Sequence, residues 1–151
     1  IRECHNVMAK RFETYGVPIK KGLKELLYYL KKNNYKTIVA TSSNRDRVDI
    51  ILKQAGITQY FDDSICGDEV SHGKPDPEVF LKSCQKLNVS TNQAIVLEDS
   101  ESGITASYNA HIKVICIPDM KYPEKQYQQM TYKILDNLEN VIPIIKDLNT
   151  K

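Results

Sequence analysis

The stretch Ile95-Val96-Leu97-Glu98-Asp99-Ser100-Glu101-Ser102-Gly103-Ile104 decides the fold, because in it a short apolar run ends abruptly in two adjacent carboxylates. The run is too short for a helix and is closed by polar residues, which is typical of a buried parallel strand. Ser100 can cap a following helix, and Glu101 falls in its first turn, where the dipole favours negative charge. Glu98 and Asp99 therefore fall at the carboxyl end of a strand, where open α/β sheets bind ligands.

The adjacent carboxylates Glu98 and Asp99 have two interpretations. Two carboxylates side by side repel each other and stay ionised readily only when a cation lies between them. Hard oxygen ligands suit Mg²⁺, so the pair predicts a magnesium site. In the alternative interpretation, both residues simply place negative charge at the N-terminus of a helix.

Strand-like and helix-like segments alternate outward from this stretch through the whole chain. The predicted strands cover residues 37–40, 61–66, 94–97, 114–117 and 134–135. The predicted helices cover residues 1–15, 20–33 and 45–55, two segments that open near residues 76 and 100, and residues 138–148. This alternation predicts an α/β fold, a three-layer, Rossmann-like doubly wound parallel sheet with helices on both faces. Pro143 is unfavourable inside the last helix.

The composition describes an ordinary globular protein of one domain. Of the 151 residues, 26% are charged and 41% hydrophobic, and the net charge of +2 is too small to indicate nucleic acid or an anionic membrane as a partner. No apolar run approaches a membrane span, and the first residues do not form a signal peptide. The cysteines form no close pairs, which favours buried thiols in a reducing cytoplasm over a zinc site. They are Cys4, Cys66, Cys84 and Cys116.

Three polar clusters follow predicted strands, and in a doubly wound sheet all three would meet at one edge. They are Thr41-Ser42-Ser43-Asn44, Gly73-Lys74-Pro75 and Glu98-Asp99. Taken singly, the first is an ordinary helix cap and Lys74 an ordinary solvated lysine. Together they supply hydroxyl and backbone donors, a cation and metal-binding carboxylates, which are the parts that phosphoryl transfer needs. We therefore expect the Lys74 ammonium within salt-bridge reach of a carboxylate of the acidic pair or of a bound anion.

Two segments carry a specific family resemblance: residues 65–80, ICGDEVSHGKPDPEVF, and residues 96–103, VLEDSESG. In sequence and order they closely resemble the haloacid dehalogenase (HAD) superfamily, and within it the β-phosphoglucomutase-like phosphatases. The resemblance implies a HAD-like core and a Mg²⁺-dependent phosphatase or phosphomutase. It further implies a small phosphorylated metabolite, a sugar phosphate, as substrate, and an aspartyl-phosphate intermediate.

The resemblance also assigns roles to residues of the three clusters. Thr41 corresponds to the hydroxyl that binds the transferring phosphate, and Lys74 to the lysine that neutralises that phosphate and the nucleophile. Asp99, with Glu98, corresponds to the Mg²⁺ site. The remaining members of the first cluster correspond to substrate-binding positions: the backbone N–H of Ser42, and Ser43, Asn44 and Arg45 toward the non-reacting end of the substrate.

The chain departs from the family pattern at its start. The first motif of the family, Asp-x-Asp after the first core strand, supplies the nucleophile and the general acid/base, and no such motif occurs here. Residues 1–16 are accordingly predicted to be the end of a helical cap domain, and residues 17–151 a HAD-like core that lacks its first strand. The chain is thus expected to be truncated at its N-terminus and inactive alone. The missing segment is expected as a separate chain, or the gap in the sheet as closed by rearrangement or a partner. A smaller departure is His111, where relatives usually carry glycine.

A second function class remains open on the residues alone: a non-catalytic phosphate-binding α/β module of the receiver type. Receivers also use acidic residues, Ser/Thr and a lysine at strand ends. They place the acidic pair early and the lysine late, whereas here Lys74 precedes Glu98-Asp99. A dinucleotide-binding domain is disfavoured further, since no Gly-x-Gly-x-x-Gly follows a strand.

Overall fold

The structure, a computed structural model, describes residues 6–9, 22–41, 44–118 and 122–149. Its strands form one six-stranded sheet in the order β3-β2-β1-β4-β5-β6, with every neighbouring pair parallel. The strands are β1 (Asn6–Ala9), β2 (Lys36–Ala40), β3 (Asp63–Ile65), β4 (Ala94–Glu98), β5 (Lys113–Cys116) and β6 (Lys133–Ile134). The helices are α1 (Leu23–Lys32), α2 (Arg45–Ala55), α3 (Glu78–Leu87), α4 (Glu101–Asn109), α5 (Lys125–Gln128) and α6 (Val141–Asn149).

Alternate residues of the sheet belong to two separate cores, as the period-two geometry of strands requires. Val39, Ile95 and Ile115 pack with α1, α2 and α6 on one face. Ile38, Val96 and Val114 pack with α3 and α4 on the other. Helices on both faces of a parallel sheet confirm the predicted three-layer, doubly wound architecture.

The central strand β1 differs from the sequence prediction. Residues 1–15 were expected to end a helix, but Asn6–Ala9 pairs in parallel with β2 on one side and with β4 on the other. The helix prediction is wrong for these four residues. The central position of the sheet, which was expected to be filled by a separate chain, by rearrangement or by a partner, is occupied by residues 6–9 of this chain. The rest of the proposed cap remnant lies outside the described residues, so the boundary between residues 16 and 17 stays a prediction. Lys10 and Arg11 follow β1, so the strand is not followed by the family's Asp-x-Asp.

Smaller differences have local causes. The predicted loop before residue 130 contains the short helix α5, which has no apolar stripe to reveal it. Pro143 is compatible with α6 because it lies in the first turn, where the backbone N–H groups have no intrahelical partner. His111 adopts a φ of 62° between α4 and β5, a conformation that glycine reaches more easily. Among the described residues, no helix has the length and apolar character needed to cross a membrane.

Candidate active site

Thr41 and Lys74 line the same cavity at the carboxyl edge of the sheet. The cavity measures about 180 Å³ and is otherwise lined by small or apolar residues, Gly67, Val70, Gly73 and Val79. Thr41 follows β2 directly, and its N–H donates to the Ile65 carbonyl at 3.0 Å, which extends the β2–β3 ladder by one residue. Thr41 is 4% exposed, so the ladder fixes a hydroxyl-bearing residue where the sheet ends.

Lys74 reaches from its loop into the interior and pairs with Glu98 at the end of β4. Its Nζ lies 2.7 Å from Oε2 of Glu98, and the side chains are 6% and 0% exposed. The ammonium also lies 5.2 Å from the centroid of the Phe80 ring, within cation–π range. The distance confirms the expected proximity of the lysine to the acidic pair. Breaking a pair buried this deeply costs about 3–5 kcal/mol, because the remaining charge is left uncompensated.

Glu98 is held by donors on both carboxylate oxygens. Oε1 accepts from the backbone N–H of Asp99 at 3.0 Å, and from the N–H and hydroxyl of Ser100 at 3.3 and 3.1 Å. Ser100 in turn caps α4, since its Oγ accepts from the Gly103 N–H at 3.1 Å. The backbone of Glu98 is fixed as well, because its carbonyl accepts from the Ile117 N–H at 2.9 Å. One network therefore joins the lysine, the end of β4 and the start of α4.

Gly103 makes room for this arrangement. A Cβ built on Gly103 would lie 2.0 Å from Cδ and 2.1 Å from Oε2 of Glu98, far inside any permitted contact. In the sequence, a glycine at this position indicates only close packing of a helix on the sheet. The structure shows a more specific requirement, because the buried carboxylate occupies the space that a side chain would need.

Asp99 is half-buried beside this network and is the residue best suited to a metal ion. Glu98 and Asp99 place hard carboxylate oxygens at one strand end, a donor set that fits Mg²⁺. Because Glu98 already accepts from Lys74 and from Asp99 and Ser100 just before α4, the Asp99 carboxylate is the better candidate for direct coordination.

The remaining predicted residues divide into three groups. Ser42 and Ser43 lie outside the described residues. Asn44 caps α2, its Oδ1 accepting from the Arg47 N–H at 2.9 Å, which matches the plain interpretation of the Thr-Ser-Ser-Asn run. Arg45 is engaged at the edge strand β3: its guanidinium lies 2.6 Å from the Glu69 carboxylate and donates to Ser64. Arg45 does not line the cavity that Thr41 and Lys74 share.

A second carboxylate cluster, made of Cys66, Asp68 and Glu69, has the spacing of a metal site but not its chemistry. Their ligand atoms lie within 4.8 Å of one another. Burial raises the pKa of the Cys66 thiol to about 11, although Arg45 opposes this, so a thiolate is disfavoured. Burial alone would raise the pKa of Glu69, but hydrogen bonds from Lys86 and from the Cys66 N–H, with the Arg45 charge, lower it to about 2. Protein cations already neutralise this carboxylate.

The sequence did not predict the residues that contact Lys74, Glu98 or the loop carrying Lys74 and so support the site. By sequence pattern, Phe80 and Gly103 indicate only core packing, and Glu78 only the first turn of a helix. The backbone N–H groups of Ser71 and His72 donate to Glu78 at 2.9 Å each, a contact that no sequence pattern predicts. One signal could have indicated the contact between Gly103 and Glu98. Gly103 follows Glu98 by only five residues, so the first turn of α4 brings the glycine next to the carboxylate.

The sheet thus carries a hydroxyl-bearing residue, a buried lysine and an acidic pair at its carboxyl edge. The sequence of the chain matches a known family over most of its length. The sequence model of haloacid dehalogenase-like hydrolases matches residues 1–117. The chain therefore belongs to the haloacid dehalogenase-like hydrolase family.

Individual relatives agree with that assignment. The chain is 37% identical over 94 residues to the phosphorylated carbohydrates phosphatase of Thermotoga maritima, covering 62% of this chain and 44% of that protein. It is 28% identical over 148 residues to the pyrophosphatase PpaX of Bacillus anthracis, covering 96% of this chain and 64% of that protein. A β-phosphoglucomutase structure from Clostridium difficile superposes with a TM-score of 0.73 at 26% identity, covering 86% of this chain and 56% of that one. The chain thus spans about half to two thirds of the length of these relatives, and they do not favour the receiver-like alternative.

Proposed function

We propose that this chain is the phosphate-handling part of a Mg²⁺-dependent phosphatase or phosphomutase that acts on a small phosphorylated metabolite, a sugar phosphate. The observation that carries the proposal is the buried Lys74–Glu98 pair beside the cavity that Thr41 and Lys74 line. A cation fixed at a cavity wall is suited to a phosphate group, whose charge it offsets. The phosphorylated-carbohydrate phosphatase among the relatives supports the substrate class.

In this proposal each residue has one task. Thr41 donates a hydrogen bond to the phosphate at the end of β2. Lys74, whose side chain is 6% exposed, neutralises negative charge as it develops on the transferring group. Asp99, supported by Glu98, would hold Mg²⁺, which when bound supplies positive charge to the phosphate oxygens. Arg45 keeps its predicted place toward the non-reacting end of the substrate, and in that role it would have to leave its partly exposed pair with Glu69.

We further propose that the nucleophile is not among the residues of this chain. The family's nucleophile belongs to an Asp-x-Asp after the first strand, and β1 is followed by Lys10-Arg11 instead. An isolated 151-residue chain with Mg²⁺ and a sugar phosphate is expected to release no phosphate and to form no aspartyl-phosphate. Turnover by a chain of verified mass would overturn this part and require a nucleophile among its own carboxylates.

Binding of inorganic phosphate, measured calorimetrically with Mg²⁺ present, tests the assignment without requiring turnover. Lys74→Ala should weaken phosphate binding by on the order of 10²-fold, by analogy with the loss of one oxyanion donor. Asp99→Asn should weaken Mg²⁺ binding, since it removes an anionic ligand. Lys24→Ala, on the exposed face of α1, serves as the matched control for loss of one lysine. Equal phosphate affinity in the Lys74→Ala and Lys24→Ala variants would refute the proposal.

A further inference from the structure

Lys74 lies on an irregular loop that must be held in one conformation if the lysine is to keep its position. Residues 70–77 connect a 3₁₀ turn, Gly67–Glu69, to α3 without regular hydrogen bonding. Yet Lys74, in the middle of this loop, is 6% exposed and reaches Glu98 at 2.7 Å. Ordering a lysine side chain costs about 1.5–2 kcal/mol of conformational entropy, and the backbone beneath it adds a similar amount per residue. The loop therefore needs contacts of its own to hold the lysine.

Glu78 supplies these contacts from the first turn of α3. Its Oε2 accepts from the Ser71 N–H and its Oε1 from the His72 N–H, both at 2.9 Å. The side chain thus joins the two ends of a loop segment, residues 71 to 78, with Lys74 inside it. We propose that Glu78 is a positioning residue for Lys74, tying the Ser71–His72 backbone to α3 so that the lysine is held against Glu98.

Two further hydrogen bonds brace the same loop from within. The Asp76 N–H donates to the Gly73 carbonyl at 3.0 Å, and the Glu78 N–H donates to Oδ1 of Asp76 at 2.9 Å. Gly73 and Asp76 flank Lys74 in sequence, so these bonds set the direction in which the lysine leaves the loop. These two bonds connect residues 73–78 only. The Glu78 side chain is what connects residues 71 and 72 to α3.

Glu78 remains charged while it performs this task. The Ser71 N–H, the Lys82 ammonium and the His72 N–H lower the pKa of Glu78 to about 2. Lys82 lies 3.1 Å from Oε2 of Glu78 and also donates to the Glu69 carbonyl at 3.1 Å, joining α3 to the start of the loop. The imidazole of His72 lies 3.5 Å from Oε1 of Glu78 but is 73% exposed, so its contribution is small.

The plain alternative is that Glu78 only offsets the dipole of α3. Acidic residues in a first turn stabilise helices by about 0.3–1 kcal/mol whatever surrounds them. The chain contains a matched case, because Glu25 occupies the first turn of α1 and is exposed. Glu25→Ala removes a dipole interaction alone, whereas Glu78→Ala also releases the Ser71 and His72 N–H groups.

The experiment compares Glu78→Ala, Glu78→Gln and Glu25→Ala in the 151-residue chain. The first readout is the NMR signal of the Lys74 ammonium, assigned by its loss in Lys74→Ala. A buried, hydrogen-bonded ammonium exchanges slowly with water and is therefore observable. We expect this signal in the wild type and in Glu25→Ala, its loss in Glu78→Ala, and a weakened signal in Glu78→Gln, whose amide keeps one acceptor oxygen.

The second readout is the affinity for inorganic phosphate with Mg²⁺ present. This readout, unlike the first, rests on the proposed function. Glu78→Ala should weaken it by about tenfold, roughly the value of one charge-assisted hydrogen bond. An unchanged Lys74 signal in Glu78→Ala overturns the positioning role. If Glu78→Ala does not fold, an undiminished signal in folded Glu78→Gln overturns it equally. Loss of the Lys74 signal in a chain whose wild type binds no phosphate would leave the positioning role standing and reject the proposed function instead.

Discussion

Gly103→Ala should strongly destabilise this protein, although alanine is the better helix former. On an exposed helical surface the change would stabilise by about 1 kcal/mol. Here the new Cβ would lie 2.0 Å from Cδ of Glu98, so the buried carboxylate must move. Movement separates Glu98 from Lys74, and breaking such a buried pair costs about 3–5 kcal/mol. Subtracting the gain in helix propensity leaves a net destabilisation of about 2–4 kcal/mol.

The assay is urea unfolding followed by circular dichroism, with the free energy of unfolding extrapolated to water. Asn109→Ala provides the control, since Asn109 ends α4 on the exposed surface and the change brings alanine into the same helix without a clash. A stabilised Gly103→Ala variant would show that Glu98 does not occupy the space beside Gly103, and with it the Lys74–Glu98 geometry would be rejected. A Gly103→Ala variant that keeps a slowly exchanging Lys74 ammonium would contradict the reasoning in the same way.

Three further predictions concern capping, pH and thiol reactivity. Asn44→Ala should lower the free energy of unfolding by about 1 kcal/mol, because it removes the cap of α2, and urea unfolding against an exposed control such as Gln54→Ala measures it. Glu69 has a folded pKa of about 2 against an ordinary 4.5, so its stabilisation is complete above pH 4.5 and is lost between pH 4.5 and 2. The stability difference between wild type and Glu69→Gln should therefore shrink across that window, and a difference constant down to pH 2 would be contrary to the assignment. Burial raises the pKa values of Cys66 and Cys84 to about 11, so both should alkylate slowly at pH 8 until urea unfolds the chain, as peptide mass spectrometry would record.

The sheet could be predicted because its signals are local. Runs such as Thr37–Ala40 and Val114–Ile117 are short, β-branched and bounded by polar residues, and each became a strand within one or two residues. The central strand β1 could not be predicted in this way. Asn6–Ala9 is only four residues long, and the partial apolar spacing around it favoured a helix; pairing with β2 and β4 is a tertiary effect that propensity does not contain.

In the site, only the positions of residues near strand ends could be predicted from the sequence. Parallel strands carry their carboxyl ends to one edge, so the meeting of Lys74 with Glu98 followed from residue order. Arg45 shows the limit of this reasoning. Its position after β2 predicts the substrate side, and this stays a prediction. Nothing in the sequence indicates that the long side chain pairs with the Glu69 carboxylate, which lies 2.6 Å away. The supporting contact of Glu78 was equally hidden, because it joins a side chain to backbone N–H groups that any sequence would have.

The charges at the carboxyl edge show how one buried pair would serve both stability and the proposed phosphate binding. Lys74 and Glu98 neutralise each other, so this buried pair carries no net charge. Asp99 leaves this edge with one formal negative charge, which alone would repel a phosphate dianion. A bound divalent cation would reverse the sign to one positive charge. In the proposed site, phosphate binding should therefore depend on Mg²⁺, so in calorimetry the wild type should bind phosphate more tightly with Mg²⁺ than without it. Asp99→Asn should reduce that difference, and a phosphate affinity indifferent to Mg²⁺ in the wild type would show that the acidic pair is not part of the phosphate site.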